Sequence, residues 1–268
     1  MKILLTNDDS IHSPGIILLA QKLGENHDVF VVAPRTEQSG VSQAITFLRP
    51  LFPQPIEGQL ADNGIKGFTL DGTPSDCVKL ALARLCPWTP DLVVSGINNG
   101  FNVGTNVNYS GTVAGALAAG IMGIPAIAVS AQFCPPTDFA SHVELLVPLI
   151  EQFADADTDS PVVLNINVPT SALKGGAPVK VVPVEANPLG YHFEEGVDPK
   201  GRVHFWANCK PDPESSPFDT DFSVLAEGCI GVSPLRTNLN KQDSIESIAE
   251  IAAQINGACS TSNNGLTP

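Results

Sequence analysis

Positive charge is scarce in this chain of 268 residues. Only 14 Lys and Arg side chains stand against 28 Asp and Glu, and the formal net charge at pH 7 is −14. A protein that binds the nucleic-acid backbone without sequence preference needs a basic surface, so the composition excludes that class. An anionic small molecule would have to be attracted locally, by a metal ion, by backbone N–H groups or by a helix N-terminus.

Cysteines at metal-binding or redox spacing are also lacking. The chain has no CxxC pair and no His at zinc-finger spacing from any cysteine. Because they are scattered through apolar stretches, we interpret them as buried free thiols in a reducing compartment, the cytoplasm. The six cysteines are Cys77, Cys86, Cys134, Cys209, Cys229 and Cys259.

The sequence offers no membrane segment. Only three apolar residues follow Lys2 before Thr6, which is too few for a signal peptide. Residues 92–137 carry no charge, but they are rich in Gly, Asn and Ser. Pro125 divides their most apolar part into two pieces too short to span a bilayer. We therefore expect a cytoplasmic protein without a membrane partner.

What the chain does contain is an alternation of apolar strands and helices. We predict helices over residues 16–23, 73–85, 113–122 and 138–153. We predict strands over residues 1–5, 29–32, 44–48, 68–70, 92–95, 126–130 and 162–168. This order implies right-handed βαβ units, and hence a Rossmann-like α/β fold with a mainly parallel sheet and helices on both faces.

The last third of the chain changes character. Segments 179–184 and 202–206 alternate in the β manner around Gly190 and Gly201, which suggests an antiparallel hairpin or arm. A loop over 209–218, a helix over 221–227, a strand over 229–235, a helix over 244–255 and a polar tail over 260–268 follow. We predict one domain over residues 1–268: a core of about 1–175 and 219–257, an arm of about 178–218 and the tail.

The first strand ends in an acidic turn, Asn7-Asp8-Asp9. Two neighbouring carboxylates repel each other and cost free energy when they leave water, so a hard divalent cation would compensate them. The turn is also consistent with a solvated βα junction in which one Asp caps the next helix, which is the commoner arrangement for these residues taken alone. These residues alone do not decide between a metal site and a capping turn.

Two further polar turns are predicted at the same edge of the sheet. In an open parallel sheet the carboxyl ends of the strands meet at one edge, which brings Ser39 and Asn98 to the acidic turn. Singly, each of them is an ordinary loop residue. Together, Asp8, Asp9, Ser39 and Asn98 offer hard oxygen donors that suit Mg²⁺, Mn²⁺ or Ca²⁺ and not a Cys/His zinc site.

The stretch Ser110-Gly111-Thr112 begins a predicted helix and could hold an anion through exposed N–H groups and hydroxyls. Taken alone, it is more typical of an ordinary capped helix. A metal and an anion site at one edge together favour a phosphate ester as substrate. His12 and His192 are candidate general acids, although the sequence favours surface histidines at both positions.

Several blocks resemble the survival-protein SurE family of metal-dependent nucleotidases. They are ILLTNDDSIHSPGI from Ile3, VVAPRTEQSGVSQAIT from Val31, LDGTPSDCVKLAL from Leu70, PDLVVSGINNGFNVGTNVNYSGTVAGA from Pro90 and TDFSVLAEGCIGVSPL from Thr220. The resemblance covers nearly the whole chain. It implies a Rossmann-like core and hydrolysis of nucleoside monophosphates to nucleoside and phosphate, with extension to 3′-nucleotides and short polyphosphate.

The resemblance also implies the cofactor and the assembly. One divalent cation per subunit, Mg²⁺ or Mn²⁺, would be held by Asp8, Asp9, Ser39 and Asn98. Family members form dimers or tetramers, so a homodimer or homotetramer is expected, with the arm as a candidate contact.

We further expect different residues to bind the substrate's phosphate and to transfer the proton. Asn98, Ser110, Gly111 and Thr112 would hold it, and Asp8 would also handle the proton of the attacking water.

The chain departs from the family pattern at two positions. Ser10 follows the acidic pair where the family usually has Gly, and a side chain there would restrict the turn or crowd the metal. Asn106 stands where Asp is frequent, which removes a charge near the anion site.

Two other functions compete with the nucleotidase. One is a phospho-receiver domain in which Asp71 would be the phosphorylated residue, although the chain is about twice the usual length of such a domain. The other is a metal-dependent protein that binds nucleotides without cleaving them.

Overall fold

The computed structural model describes residues 1–155, 162–186, 190–210, 219–240, 244–245 and 248–253. Within them, residues 1–235 group as one compact unit and the residues from 236 onward group separately. No helix in the described ranges is long and apolar enough to cross a membrane.

Eleven strands are described. They are β1 (Lys2–Thr6), β2 (Asp28–Pro34), β3 (Gln54–Pro55), β4 (Lys66–Leu70), β5 (Leu92–Asn99), β6 (Ala126–Ala131), β7 (Val163–Val168), β8 (Val179–Val181), β9 (Gly190–Val197), β10 (Val203–Lys210) and β11 (Ile230–Leu235). Nine of them form one sheet in the order β3-β4-β2-β1-β5-β6-β7-β11-β8. Only β3 against β4 and β11 against β7 pair antiparallel in this sheet, which confirms the mainly parallel fold.

Six α-helices accompany the strands within the described part of residues 1–235. They are α1 (Pro14–Gly24), α2 (Gln59–Asp62), α3 (Pro74–Leu80), α4 (Gly111–Ile121), α5 (Phe139–Ala154) and α6 (Asp221–Ala226). A π-helical segment, Ala81–Leu85, continues α3, and two 3₁₀ segments cover Gly104–Asn108 and Thr170–Lys174. The predicted helices at 16–23, 73–85, 113–122, 138–153 and 221–227 are therefore confirmed within a few residues.

Strand β1 shows why the sheet is covered on both faces. Ile3 and Leu5 pack into one apolar cluster with residues of α1 and α5, whereas Leu4 packs into the other with residues of α3 and α4. All three side chains are fully buried. Because both faces of β1 are buried, its sequence is a continuous apolar run and does not alternate between apolar and polar residues.

The predicted strand at 44–48 is wrong. The backbone N–H of Thr46 donates to the carboxylate of Asp76 instead of to a neighbouring strand. The side chains of Phe47 and Leu48 are exposed. The apolar residues of this stretch therefore belong to a loop, and the short edge strand lies later, at β3.

The predicted hairpin has different strands. Val179–Val181 joins the main sheet, parallel to β11, and does not pair with residues 202–206. The hairpin is formed by β9 and β10, with Val203 opposite Val197. The alternating pattern at 179–184 reports an edge strand of the core, which periodicity alone does not distinguish from a hairpin strand.

The remaining predictions fall on the C-terminal part and the cysteines. The strand at 229–235 is confirmed as β11, and residues 248–253 are helical as predicted. Residues 211–218, most of the predicted loop, and the tail at 260–268 lie outside the described residues. Cys77 and Cys229 are buried free thiols, but Cys134 is exposed, so burial was wrongly predicted there.

Candidate metal and phosphate site

An open cleft of about 650 Å³ lies at the carboxyl edge of β1 and β5. It is lined by Asp8, Asp9, Ser10, His12, Ser13, Pro14, Glu37, Ser39, Gly40, Asn98, Asn99, Phe101, Asn102, Asn106, Tyr109, Ser110, Phe133 and Phe139. The four predicted ligands and Ser110 thus meet in one cleft. The rule that ligands bind beyond the carboxyl ends of parallel strands locates it correctly.

Asp8 is the buried member of the acidic pair. Its side chain is only 4% exposed. Oδ1 accepts a hydrogen bond of 2.5 Å from the Thr112 hydroxyl. The neighbouring carboxylate of Asp9 accepts a hydrogen bond from the backbone N–H of Asn99, at 3.0 Å. The start of α4 and the end of β5 therefore orient the two carboxylates separately.

Burial raises the pKa of both carboxyl groups. The pKa of Asp8 is raised from 3.8 to about 6: loss of hydration is the main cause, the hydrogen bond from Thr112 opposes it, and the charge of Asp9 adds to the rise. For Asp9, burial is again the main cause of a raised pKa, opposed by the Asn99 N–H and supported by the charge of Glu37. Ionisation of both carboxyl groups therefore destabilises the metal-free fold.

The acidic turn has an unusual backbone at Ser10, whose φ of 81° lies in the left-handed region. The Asn7 side-chain amide donates to the Ser10 carbonyl at 2.7 Å and to the Ser13 hydroxyl at 3.0 Å. Ser13 stands at the N-cap of α1, as predicted, but its side chain makes no capping hydrogen bond. Asn7 therefore holds the turn together, and Ser10 adopts a conformation that Gly would adopt without strain.

The two neutral ligand candidates are held by short local contacts. The Ser39 hydroxyl donates to the Glu37 carboxylate at 2.6 Å. The Asn98 side-chain NH₂ donates to the carbonyl of Gly100 at 2.7 Å, which identifies the other atom of the amide as its oxygen. The Ser39 hydroxyl and one of the two N–H groups of Asn98 are thus engaged, and each residue has an oxygen lone pair to present to a cation.

The start of α4 is pressed against Asp8. Ser110 is its N-cap, and its hydroxyl accepts from the Val113 N–H at 3.1 Å. A Cβ on Gly111 would lie 2.8 Å from the Cβ of Asp8 and 2.9 Å from the Gln38 carbonyl oxygen. Only Gly permits this approach, and it brings the helix N-terminus to the acidic turn.

Of the remaining candidate residues, only His12 lines the cleft. Gly111 and Thr112 are buried behind Asp8 and do not line the cleft, so Thr112 contacts the carboxylate and not the cleft space. His12 is exposed and reaches the cleft rim, whereas His192 lies on the hairpin, 3.5 Å from Glu194. Asp71 also lies outside the lining, and Arg35 pairs with it at 3.3 Å.

The sequence analysis did not identify Glu37, nor the buried hydrogen bonds that hold Asn102. The Asn102 side chain donates to the Ser130 hydroxyl at 2.9 Å. The backbone carbonyl of Asn102 accepts hydrogen bonds from the side-chain amides of Asn165 and Asn167, at 2.8 and 3.0 Å. The polar residues inside the predicted strand at 162–168 were the available signal, because a buried strand has no other reason to carry two amides.

Four aromatic side chains at the cleft were also missed: Phe101, Tyr109, Phe133 and Phe139. They lie in separate loops and one helix start, with no shared motif in the sequence. Tyr109 and Phe133 are more than half exposed. They add apolar surface to an otherwise polar cleft.

The donor chemistry of the cleft fits a hard divalent cation. The described lining includes Asp8, Asp9 and Glu37 but no Lys or Arg to compensate them. No group of three or more His, Cys, Asp and Glu is placed to hold a metal within the described ranges. A cation there would therefore take two carboxylates together with neutral oxygens from Ser39 and Asn98, which suits Mg²⁺ or Mn²⁺ and not zinc.

Comparison with known proteins agrees with this geometry. The family model described as "Survival protein SurE" matches residues 3–188, well over half of the chain. The chain belongs to the SurE family.

Individual SurE proteins match over almost their whole length. A protein named 5′-nucleotidase SurE from Rhodopirellula baltica is 42% identical over 245 residues, which are 91% of this chain and 95% of its own. A second, from Syntrophobacter fumaroxidans, is 40% identical over 250 residues, 93% of this chain and 99% of its own. The crystal structure of the SurE protein from Aquifex aeolicus aligns with a TM-score of 0.80 and 32% identity, covering 94% of this chain and all of that one.

Proposed function

We propose that the chain is a metal-dependent 5′-nucleotidase that hydrolyses nucleoside monophosphates to nucleoside and phosphate. The observation that carries the proposal is the meeting of Asp8, Asp9, Ser39, Asn98 and Ser110 in one cleft of a SurE-family chain. The relatives from Rhodopirellula baltica and Syntrophobacter fumaroxidans are named 5′-nucleotidase, which supports the reaction type.

Asp8, Asp9, Ser39 and Asn98 hold one Mg²⁺ or Mn²⁺ per subunit in this proposal. When bound, such an ion draws charge from the phosphoryl group and lowers the pKa of a water molecule bound to it. The chain's own contribution is a set of pre-oriented oxygens, because the Ser39 and Asn98 donors already have partners.

The N-terminus of α4 receives the phosphate. Ser110 faces the cleft as the N-cap of α4, and the positive end of the helix dipole favours an anion beside it. Gly111 contributes its backbone and its lack of a side chain, while Thr112 positions Asp8. Asn98 serves the phosphate side as well as the metal.

Asp8 handles the proton of the attacking water. Oδ1 already accepts from Thr112, so Oδ2 is the atom that takes the proton as the water oxygen attacks phosphorus. The nucleoside oxygen leaves with the electron pair of the P–O bond and takes up a proton from water, and Asp8 releases its proton to solvent. Without a metal, burial raises the pKa of this carboxyl group to about 6, and a bound cation would favour its ionised form, which is the form that can accept a proton.

The proposal extends to scope and assembly. We expect activity on 3′-nucleotides and short polyphosphate beside 5′-monophosphates. A homodimer or homotetramer through the arm at about 178–218 is supported by the exposed Phe193, Phe205 and Trp206 of the β9–β10 hairpin. The division into core, arm and tail and the cytoplasmic location stay predictions.

A phosphate-release screen tests the function. Nucleoside 5′- and 3′-monophosphates and short polyphosphate are incubated with Mg²⁺, with Mn²⁺ or after treatment with a chelator. We expect release from 5′-monophosphates that depends on added metal. Release that survives complete metal removal contradicts the proposal, and metal-dependent nucleotide binding without release identifies the non-catalytic alternative.

A further inference from the structure

The block that begins at Leu70 contributes nothing to the cleft wall. None of residues 70–82 lines the cleft, although this block is one of the five that carry the family resemblance. Its Thr73 and Asp76 form a capping box at the start of α3. A capping box explains two of its residues, but it does not explain the further bonds that Asp76 makes.

Asp76 is a buried carboxylate, 5% exposed, that accepts hydrogen bonds from a loop 30 residues earlier. The Thr46 hydroxyl donates to Oδ2 at 2.6 Å, and the Thr46 backbone N–H donates to Oδ1 at 2.9 Å. The Thr73 backbone N–H also donates to Oδ2, at 3.0 Å. Capping of α3 uses only this last bond, so the two bonds from Thr46 serve the loop.

The same loop carries Ser39 and is tied down at two more points. The Thr73 hydroxyl donates to the Ala44 carbonyl at 2.6 Å. The Ser42 hydroxyl donates to the Asn108 carbonyl at 2.7 Å, just before the Ser110 cap. Residues 42–46 thus run between the start of α3 and the segment that leads into α4. The loop has no strand pairing of its own to hold it in this place.

We infer that Asp76 is a positioning residue for the metal site, acting through Thr46 and the loop that carries Ser39. The inference rests on the proposed function and deepens it. Ser39 is exposed, and the bond from its hydroxyl to Glu37 stays within the same loop. On the N-terminal side of Ser39, the Gln38 backbone N–H donates to the Asp8 carbonyl at 2.7 Å. On the C-terminal side the loop is held at Thr46, where Asp76 is the buried acceptor. Asp76 therefore fixes one of the two points between which Ser39 lies.

Gly72 allows the loop to approach Asp76 closely. A Cβ at Gly72 would lie 3.0 Å from Oδ2 of Asp76 and 3.0 Å from the Leu51 side chain. Since both neighbours would have to give way, Gly at this position lets the far end of the loop close over Asp76. Gly72, Thr73 and Asp76 of the block thereby have structural roles that need no contact with the cleft.

The test uses Asp76→Asn and Thr46→Val, with Thr46→Ser as the conservative variant and Asp91→Asn as the matched control. Asp91 likewise accepts a backbone N–H, from Lys2 at 2.7 Å, but at the opposite end of β1. Three quantities are measured on the full chain: Mn²⁺ affinity by calorimetry, amide hydrogen exchange over residues 37–49 without metal, and kcat and KM for a nucleoside 5′-monophosphate.

We expect Asp76→Asn and Thr46→Val to weaken Mn²⁺ binding about 3- to 10-fold, in line with the loss of one hydrogen bond. Exchange over 37–49 should rise by a similar factor. Thr46→Ser should restore both quantities, because it keeps the hydroxyl, and Asp91→Asn should change neither. A pure capping role predicts loss of thermal stability with wild-type Mn²⁺ affinity.

The outcomes separate this inference from the function on which it rests. If Asp76→Asn and Thr46→Val match the wild type in Mn²⁺ affinity, the inference is wrong even where exchange rises. If the wild type binds Mn²⁺ but releases no phosphate while the variants still bind it more weakly, the nucleotidase function is wrong and the anchoring role stands. Should Asp76→Asn fail to fold, Thr46→Val decides, since it removes one hydroxyl and leaves the α3 cap intact.

Discussion

The hydroxyl of Thr112 donates a hydrogen bond of 2.5 Å to Oδ1 of Asp8, across 104 residues of sequence. Both side chains are buried, so no solvent competes for the bond. Thr112 was predicted to hold the substrate's phosphate. Its position instead makes it the partner that keeps a desolvated carboxyl group ionised.

Removing this partner should move the pH range of metal binding. The hydrogen bond from Thr112 lowers the pKa of Asp8, so Thr112→Val raises that pKa further above 6. Protons then compete with the metal at higher pH. We expect the acid limb of Mn²⁺ binding, measured by calorimetry, to shift upward by about one pH unit. Thr112→Ser keeps the donor and should follow the wild type, and an unshifted limb in Thr112→Val would contradict the assignment.

Asp8→Asn should abolish phosphate release and stabilise the metal-free fold at alkaline pH. The Asp8 pKa is about 6 in the folded chain and 3.8 without the fold. Protonation therefore favours folding; this contribution is complete below pH 3.8 and is lost as the pH rises through 6. The difference corresponds to at most about 3 kcal/mol.

The check is urea denaturation of both chains in chelator. Asp8→Asn should be more stable than the wild type at pH 8, and the gap should narrow at pH 5. Added Mn²⁺ should stabilise only the wild type. Near-normal turnover in a folded Asp8→Asn variant would remove both roles assigned to this residue.

Ser10→Gly should stabilise the protein. Ser10 has a φ of 81°, and a side chain with a Cβ costs about 1 kcal/mol in the left-handed region. Gly removes that cost, and the greater freedom of Gly in the unfolded chain returns part of it. We expect a gain of about 0.5 kcal/mol in urea denaturation. Ser10→Ala keeps the Cβ and should show no gain, so equal effects of the two changes would refute strain at this turn.

Gly111→Ala should disrupt the site although Ala favours helices. Its Cβ would lie 2.8 Å from the Cβ of Asp8 and 2.9 Å from the Gln38 carbonyl oxygen, so α4 or the acidic turn must move. We expect a loss of about 1–3 kcal/mol in stability and a fall of at least about 10-fold in kcat/KM. Gly120→Ala lies in the same helix, away from Asp8, and serves as the control for helix propensity. Wild-type kcat/KM in Gly111→Ala would contradict the close approach.

The edge of the sheet that carries the site was predictable because two rules cooperate. Apolar runs such as Leu92–Val94 mark buried parallel strands, and parallel strands end together. Asp8, Asp9, Ser39 and Asn98 could be grouped from those rules without any coordinates. The stretch at 44–48 failed because its apolar residues are exposed in a loop that a distant carboxylate holds, which no local pattern reveals.

The order of residues along the chain decides which polar segment follows which strand. An acidic turn follows β1, a loop with Ser39 follows β2, Asn98 ends β5, and small residues begin α4. Local residue types dictate each of these, since short-range sterics and hydrogen bonds decide them.

The contacts between residues far apart in the chain depend on the tertiary fold. It placed Thr112 on Asp8 and Asp76 on Thr46, and it packed Gly111 against the acidic turn. These contacts join residues 30 to 104 positions apart. Such contacts depend on how layers pack around the sheet, and packing is a property of the whole chain.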